Sequence, residues 1–138
     1  MTKPYLEKSN QSMIAAEKLK TERLFASTVN RAYYSCLQYI YHILTEKLTH
    51  TPEEINQHSS GSHVQAQKLL LNSLYQICKS DRDNYKDYQW FQSKLPELKL
   101  ARVKADYYTD ATSPDDGHDA MRKANDLINV LKKHYKNK

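Results

Sequence analysis

Glycine and proline are scarce in this chain of 138 residues, at two and four. A β-sandwich or barrel needs such residues at its many turns, so an all-β fold is disfavoured. Cysteine is nearly absent as well. Cys36 and Cys78 both fall on predicted apolar helix faces and read as reduced, buried thiols rather than a disulfide. No apolar run approaches the roughly 20 residues needed to cross a bilayer. The N-terminal MTKPYLEKSNQ lacks the apolar core of a signal peptide. The expectation is a cytoplasmic protein with no membrane contact. Acidic residues are outnumbered 16 to 21 by Lys and Arg, a formal net charge of +5 that leans toward anionic partners. The charge is uneven. LKKHYKNK at the C-terminus is basic, while five aspartates between Asp106 and Asp119 have no Lys or Arg among them. Either a solvated asymmetry or a nucleic-acid surface fits that distribution.

What is present is helical periodicity. Apolar content of 39% and charged content of 27% suit an α-helical bundle, and residues 1–138 suffice for one domain with its own core. The strongest stretch is Thr21 to Leu48. Phe25, Ala26, Val29, Tyr33, Cys36, Leu37, Ile40, Ile43 and Leu44 crowd one side of its helical wheel, with Arg31, Ser35, Gln38, His42 and Glu46 opposite. A thinner first helix, from about Tyr5 to Lys20, carries Leu6, Met13, Ala16 and Leu19 inward, and pairs with the second as an antiparallel hairpin. Thr51-Pro52-Glu53-Glu54 reads as an N-cap, a proline at N1 and a capping-box acid, opening a turn that Ser59-Ser60-Gly61 ends.

A third helix spans Ser62 to about Lys79, and a short aromatic one spans Asn84 to Gln92. Pro96 disfavours helical geometry at Leu95, which predicts a break there and a fourth helix from Pro96 to about Tyr108. Ser113-Pro114-Asp115-Asp116 opens the last helix, with Ala120, Ala124, Leu127 and Leu131 in line and Met121 and Ile128 beside them. The expected fold is an all-α, up-and-down bundle of four to five helices.

The fourth helix, PELKLARVKADYY, has two apolar lines: Leu98, Ala101, Ala105 and Tyr108, and about 150° away Leu100, Val103 and Tyr107. A surface helix needs only one. Two predict burial on both sides, inside the bundle or against a second subunit. Between them runs Lys99, Arg102 and Asp106, and Arg102 and Asp106 are one turn apart and can pair. No CxxC pair, HExxH, Gly-rich phosphate loop or Glu plus Glu-x-x-His set occurs, so no metal or cofactor is expected. Tyr33, Tyr75 and Tyr108 sit on core lines, whereas Arg31, Tyr34 and His42 lie on the polar side of the second helix as a candidate ligand-facing surface.

Asn30-Arg31-Ala32-Tyr33-Tyr34, then Ser62-His63 at the start of the third helix, then Arg102-Val103-Lys104-Ala105-Asp106-Tyr107 resemble the RAYY and R-x-x-A-D-Y motifs of the HEPN domain family (higher-eukaryote and prokaryote nucleotide-binding helical domain), in its small stand-alone prokaryotic form. The resemblance runs from about Leu6 to Tyr135 and leaves out the aromatic stretch Tyr85 to Phe91. It implies a bundle that homodimerises through helices near the Arg motif. It also implies a link to metal-independent ribonucleases, often toxins paired with a minimal nucleotidyltransferase antitoxin. In that family Arg steadies the charge of a phosphate attacked by a 2′-OH, and a His about five residues later moves the proton.

Here Tyr107 stands at the His position and Val103 at the usual polar position. Tyrosine, with a reference pKa of about 10, is a poor general base at neutral pH. By spacing, neither His63 nor His118 replaces the missing histidine. The sequence therefore points to an RNA- or nucleotide-binding protein of a toxin–antitoxin or defence pair, with a nucleotidyltransferase partner. The alternatives are an active ribonuclease using Arg102, with Asp106 and Tyr107 beside it, and a purely structural dimeric interaction module. The candidate binding residues are Arg31, Tyr34, His42, Lys99 and His63.

Overall fold

The computed structural model describes residues 3–56, 62–107 and 111–136. Among these the chain is all-helical: α1 (Pro4–Thr21), α2 (Phe25–His42) continued by a π-helical turn (Ile43–Lys47), a short α3 (Pro52–Asn56), α4 (Ser62–Cys78), α5 (Arg82–Tyr107) and α6 (Pro114–Tyr135). α2 packs against α1, α5 and α6, and α5 packs against α4 and α6. The core is one cluster. α2 gives it Tyr33, Cys36 and Ile40, and the π turn Leu44; α4 gives Leu70 and Leu74; α5 gives Phe91, Leu95 and Leu98; α6 gives Leu127, Leu131 and Tyr135. The expected inward line of the last helix is buried as read, as are both free cysteines.

α1 and α2 form the expected antiparallel hairpin, but their contact is not the apolar one the pattern suggested. Ser9 Oγ donates to the Ser35 carbonyl and Ser35 Oγ to the Ser9 carbonyl, each at 2.8 Å, while Ser12 Oγ meets the Gln38 amide at 2.7 Å. Tyr5 and Tyr41 stack at 5.3 Å further along. The polar side of α2, read as solvent-facing, is therefore partly the α1 interface. Ser35 and His42, which the wheel placed outside, are both buried. A thin apolar stripe on α1 suffices because hydrogen-bonded serines, small enough for close approach, supply the rest.

The hairpin is also not seamless. α1 runs on to Thr21, and α2 starts at Phe25 rather than Thr21. Leu24 N–H donates to the Leu19 carbonyl at 2.8 Å, and Arg23 adopts φ 62°, the left-handed geometry of a helix C-terminus. At the other end the helix widens into the π turn, where Leu48 N–H reaches back to Ile43.

The predicted break at Pro96 does not occur. α5 is continuous through it, and the two short helices of the sequence reading are one. Proline removes one backbone donor and crowds the carbonyl four residues back. Phe91, Leu95 and Leu98 nevertheless bury on one face across that point, with Pro96 itself exposed, so packing overrides the local preference. Of the two placements expected for the doubly apolar segment, burial of both lines inside the bundle does not occur. Leu98 is buried, but Leu100 and Tyr107 are 50% and 73% exposed, leaving the second line open within one chain. Tyr75, expected in the core, is 39% exposed, and Tyr108 lies outside the described residues, as do Ser59, Ser60 and Gly61.

The capping box of α6 forms in full, whereas Thr51 caps α3 on its own, the Glu54 carboxylate meeting His50 Nδ1 at 3.0 Å. Asp116 N–H donates to Ser113 Oγ at 3.1 Å while Ser113 N–H donates to Asp116 Oδ2 at 2.9 Å, and Glu54 N–H donates to Thr51 Oγ1 at 3.1 Å. No helix among the described residues is long and apolar enough to cross a membrane.

Candidate functional site

Asn30-Arg31-Ala32-Tyr33-Tyr34 occupies little more than one turn of α2, so its side chains fan out in three directions. Ala32 and Tyr33 enter the core. Tyr34 lies at its edge, and Asn30 and Arg31 lie outside it, partly buried. α5 crosses this turn with Lys99, Arg102 and Asp106, and the start of α4 adds His63 and Gln67.

Arg102 is the hub. Its guanidinium lies over the ring of Tyr33 at 5.0 Å and of Tyr34 at 5.9 Å. Its Nη1 donates to Asp106 Oδ2 at 3.2 Å, one turn along α5. Asp106 in turn accepts from Asn30 Nδ2 at 3.3 Å on both oxygens. Asn30 Oδ1 accepts from Arg31 Nε and Nη2 at 3.2 and 3.1 Å, and the Arg31 cation covers Tyr34 at 5.4 Å. Two arginines therefore share the Tyr34 ring. His63 approaches it edge-on at 6.0 Å, and Gln67 Nε2 donates to the Tyr33 hydroxyl at 3.4 Å.

Burial pushes the Tyr33 hydroxyl up to about 12, against the opposing pull of Arg102, so it stays protonated. Burial also lowers the pKa of His63, and the cations of Arg102 and Lys99 lower it further. His63 is therefore a neutral imidazole at pH 7, able to accept a proton. Arg102 Nε is buried and has no hydrogen-bond partner among the described residues. Three cations, Arg31, Lys99 and Arg102, surround the carboxylate of Asp106 among the described residues. That surplus, on a planar donor fork clamped by aromatic rings, suits an oxyanion such as phosphate. A shallow cavity of about 530 Å³ opens beside it, lined by Leu19, Ala26, Ser27, Asn30, Arg31, Ala105 and Asp106.

Six of the candidate residues, Arg31, Tyr34, His63, Lys99, Arg102 and Asp106, thus meet in one place. Two do not. Tyr107 points to solvent, away from the cluster. His42 is 3% exposed, two turns further along α2, with its ring against Tyr39 at 5.5 Å and its Nδ1 unpartnered. It is an interior residue rather than a wall of the cleft. Asn30 and Gln67 were not singled out by the sequence reading, and Tyr33 was assigned to the core alone. Asn30 lies one turn before Tyr33 and Tyr34 on α2, a spacing that foreshadows its place in the cluster.

A second constellation looks catalytic and is not. Cys78 Sγ lies 3.9 Å from His134 Nδ1, and His134 Nε2 lies 2.9 Å from Asp87 Oδ2. The thiol is 0% exposed and burial raises its pKa, so it meets no substrate as a thiolate. The network ties the end of α4 to α5 and α6. Among the described residues no group of His, Cys, Asp and Glu could hold a metal ion. Compared with family models, curated proteins and solved structures, the chain matches none.

Proposed function

We propose that this chain is a HEPN-like helical bundle that binds RNA or a nucleotide through the phosphate, with Arg102 as the principal contact. The observation that carries the reading is the Arg102 guanidinium itself. It is clamped over Tyr33 and Tyr34 and fixed by Asp106, with a buried Nε that has no hydrogen-bond partner among the described residues. Arg31 and Lys99 add charge beside it, and Tyr34 offers a ring edge to a base. The chain works as a homodimer in the cytoplasm, the line of exposed Leu100 and Tyr107 with half-buried Val103 being the face that a second copy covers. A minimal nucleotidyltransferase is its partner in a toxin–antitoxin or related defence pair, a role that rests on the RAYY and R-x-x-A-D-Y resemblance. The test is titration of a labelled single-stranded RNA and of ATP into the protein. Arg102→Ala is expected to weaken binding about tenfold or more, and Arg102→Lys to restore little of it because a point charge lacks the planar fork. Equal affinity for all three proteins overturns the reading.

His63 favours a second reading, metal-independent cleavage. The family position for the proton-moving histidine holds Tyr107, but His63 from α4 faces the same Tyr34 ring as Arg102 and is held neutral. In this reading His63 takes the proton of the 2′-OH. The 2′-oxygen bonds to the adjacent phosphorus, the 5′-oxygen leaves and takes a proton from water, His63 returns its proton to solvent, and Arg102 steadies the charge that develops on the phosphate. RNA cut in the presence of a chelator, with His63→Ala and Arg102→Ala both inert, is the expected result. RNA left intact at high protein concentration removes cleavage and leaves binding.

A further inference from the structure

The stretch from Tyr85 to Phe91, which the family resemblance leaves out, builds a second surface. Tyr85 and Tyr88, one turn apart on α5, stack at 5.8 Å with their planes 25° apart. Tyr75 of α4 meets them edge-on at 6.4 and 5.4 Å. Tyr88 packs against the core, whereas Tyr75 and Tyr85 lie outside it. The core already takes Leu70 and Leu74 from α4 and Phe91 and Leu95 from α5, while Tyr75 is 39% exposed and Tyr85 and Tyr88 are half-buried.

Charge of both signs surrounds the rings. Lys79, Arg82 and Lys86 are exposed. Among the acids there, Asp81 Oδ1 caps α5 by accepting from Asp83 N–H at 2.8 Å, Asp87 is held by Lys133 at 2.8 Å and His134 at 2.9 Å, and Asp83 is exposed. The same helix links this cluster to the Arg102 site. Lys99 and Arg102 follow Tyr85 and Tyr88 by fourteen residues each, which returns them to within about 40° on the helix and separates them by about 21 Å. Exposed Gln92 lies between, on the same edge of α5. A stripe with stacking rings at one end and phosphate-binding cations at the other has the form of a single-strand binding groove.

We infer that single-stranded RNA lies along the outer edge of α5, with a phosphate at Arg102 and Lys99 and bases stacked on Tyr75, Tyr85 and Tyr88. This rests on the RNA-binding reading above and adds a second subsite to it. A dinucleotide reaches only one end, whereas an octanucleotide, within the range of about 4–16 nucleotides such grooves hold, reaches both.

Fluorescence anisotropy with a labelled RNA dinucleotide and octanucleotide tests the inference. Wild-type protein is expected to bind the octamer more tightly. Tyr75→Leu/Tyr85→Leu is expected to weaken octamer binding at least about fivefold and leave the dinucleotide unchanged, while Tyr75→Phe/Tyr85→Phe keeps both. Wild-type octamer affinity in a folded leucine variant, with Arg102→Ala still defective, overturns the groove and leaves the Arg102 site standing. If no RNA binds the wild type, the groove and the RNA reading both fall, and the ATP titration alone decides the nucleotide reading. Photocrosslinking of the octamer to wild-type protein supplies the check that needs no variant. Adducts in the peptides bearing Tyr75, Tyr85 or Tyr88 support the groove, and adducts confined to other peptides overturn it.

Discussion

Replacing Arg102 by Met removes the hub of the site and keeps its aliphatic stem, so no cavity opens. Lost are the attractions to Tyr33 at 5.0 Å and Tyr34 at 5.9 Å, about 0.5–1 kcal/mol each at a partly exposed site. Lost too is the contact with Asp106 at 3.2 Å, about 0.3–0.5 kcal/mol for a pair one turn apart. Asp106 is not stranded, because Asn30 still donates to both its oxygens. Against these losses, the buried, unpartnered Nε disappears, which relieves about 1–3 kcal/mol. The terms nearly cancel, and the variant is expected to be as stable as wild type within about 1 kcal/mol. Urea unfolding followed by circular dichroism reads this directly, as a midpoint shift of no more than about 0.5 M at an m-value of about 2 kcal/mol/M. A loss above about 2 kcal/mol, with RNA affinity unchanged, would show that Arg102 is there to orient α5 against α2, and the phosphate reading would fail.

Other outcomes follow from the scaffold. Ser9→Ala removes one of two reciprocal hydrogen bonds between α1 and α2 and is expected to cost about 1 kcal/mol by thermal denaturation; no measurable loss would mean that the polar contact does not hold the hairpin. Arg23→Gly relieves left-handed geometry at φ 62° and is expected to stabilise by up to about 1 kcal/mol, reduced by the lost contact of Arg23 with Phe25 at 5.3 Å. Burial lowers the pKa of His42, so the unfolded chain binds its proton first, and stability that is full above about pH 6.5 declines as pH falls through that value. His63 contributes with the same sign. Unfolding free energies measured from pH 7.5 to 5 should therefore slope less in His42→Gln than in wild type, and parallel profiles would contradict this.

The features legible in the sequence are those written locally. Ser113 and Asp116 announce the capping box of α6, and the spacing of Ala120, Ala124, Leu127 and Leu131 announces its buried face. Arg102 and Asp106 announce their pairing by standing one turn apart. What failed depends on neighbours distant along the chain. A wheel separates the apolar side of α2 from its polar side but does not say that α1 covers the polar side, which is why Ser35 and His42 were placed outside. Pro96 signals a break by local sterics, and only the burial of Phe91, Leu95 and Leu98 on one face reverses that. His63 was dismissed as a replacement for the missing histidine because spacing was the criterion, yet it reaches the ring it shares with Arg102 from another helix. The exposure of Leu100 and Tyr107 within one chain is not legible, because an apolar line marks a contact face without naming what covers it.

The salt dependence of RNA binding tests the phosphate site most directly. With Arg31, Lys99 and Arg102 on the backbone, the logarithm of the wild-type binding constant should fall against the logarithm of salt with a slope near −2, at about −0.7 per phosphate contact for single strands. Arg102→Met should bind more weakly and with a slope shallower by about 0.7. Saturable wild-type binding with that change in slope is the expected result. Absence of saturable binding, or an Arg102→Met protein with the wild-type affinity and slope, would contradict it.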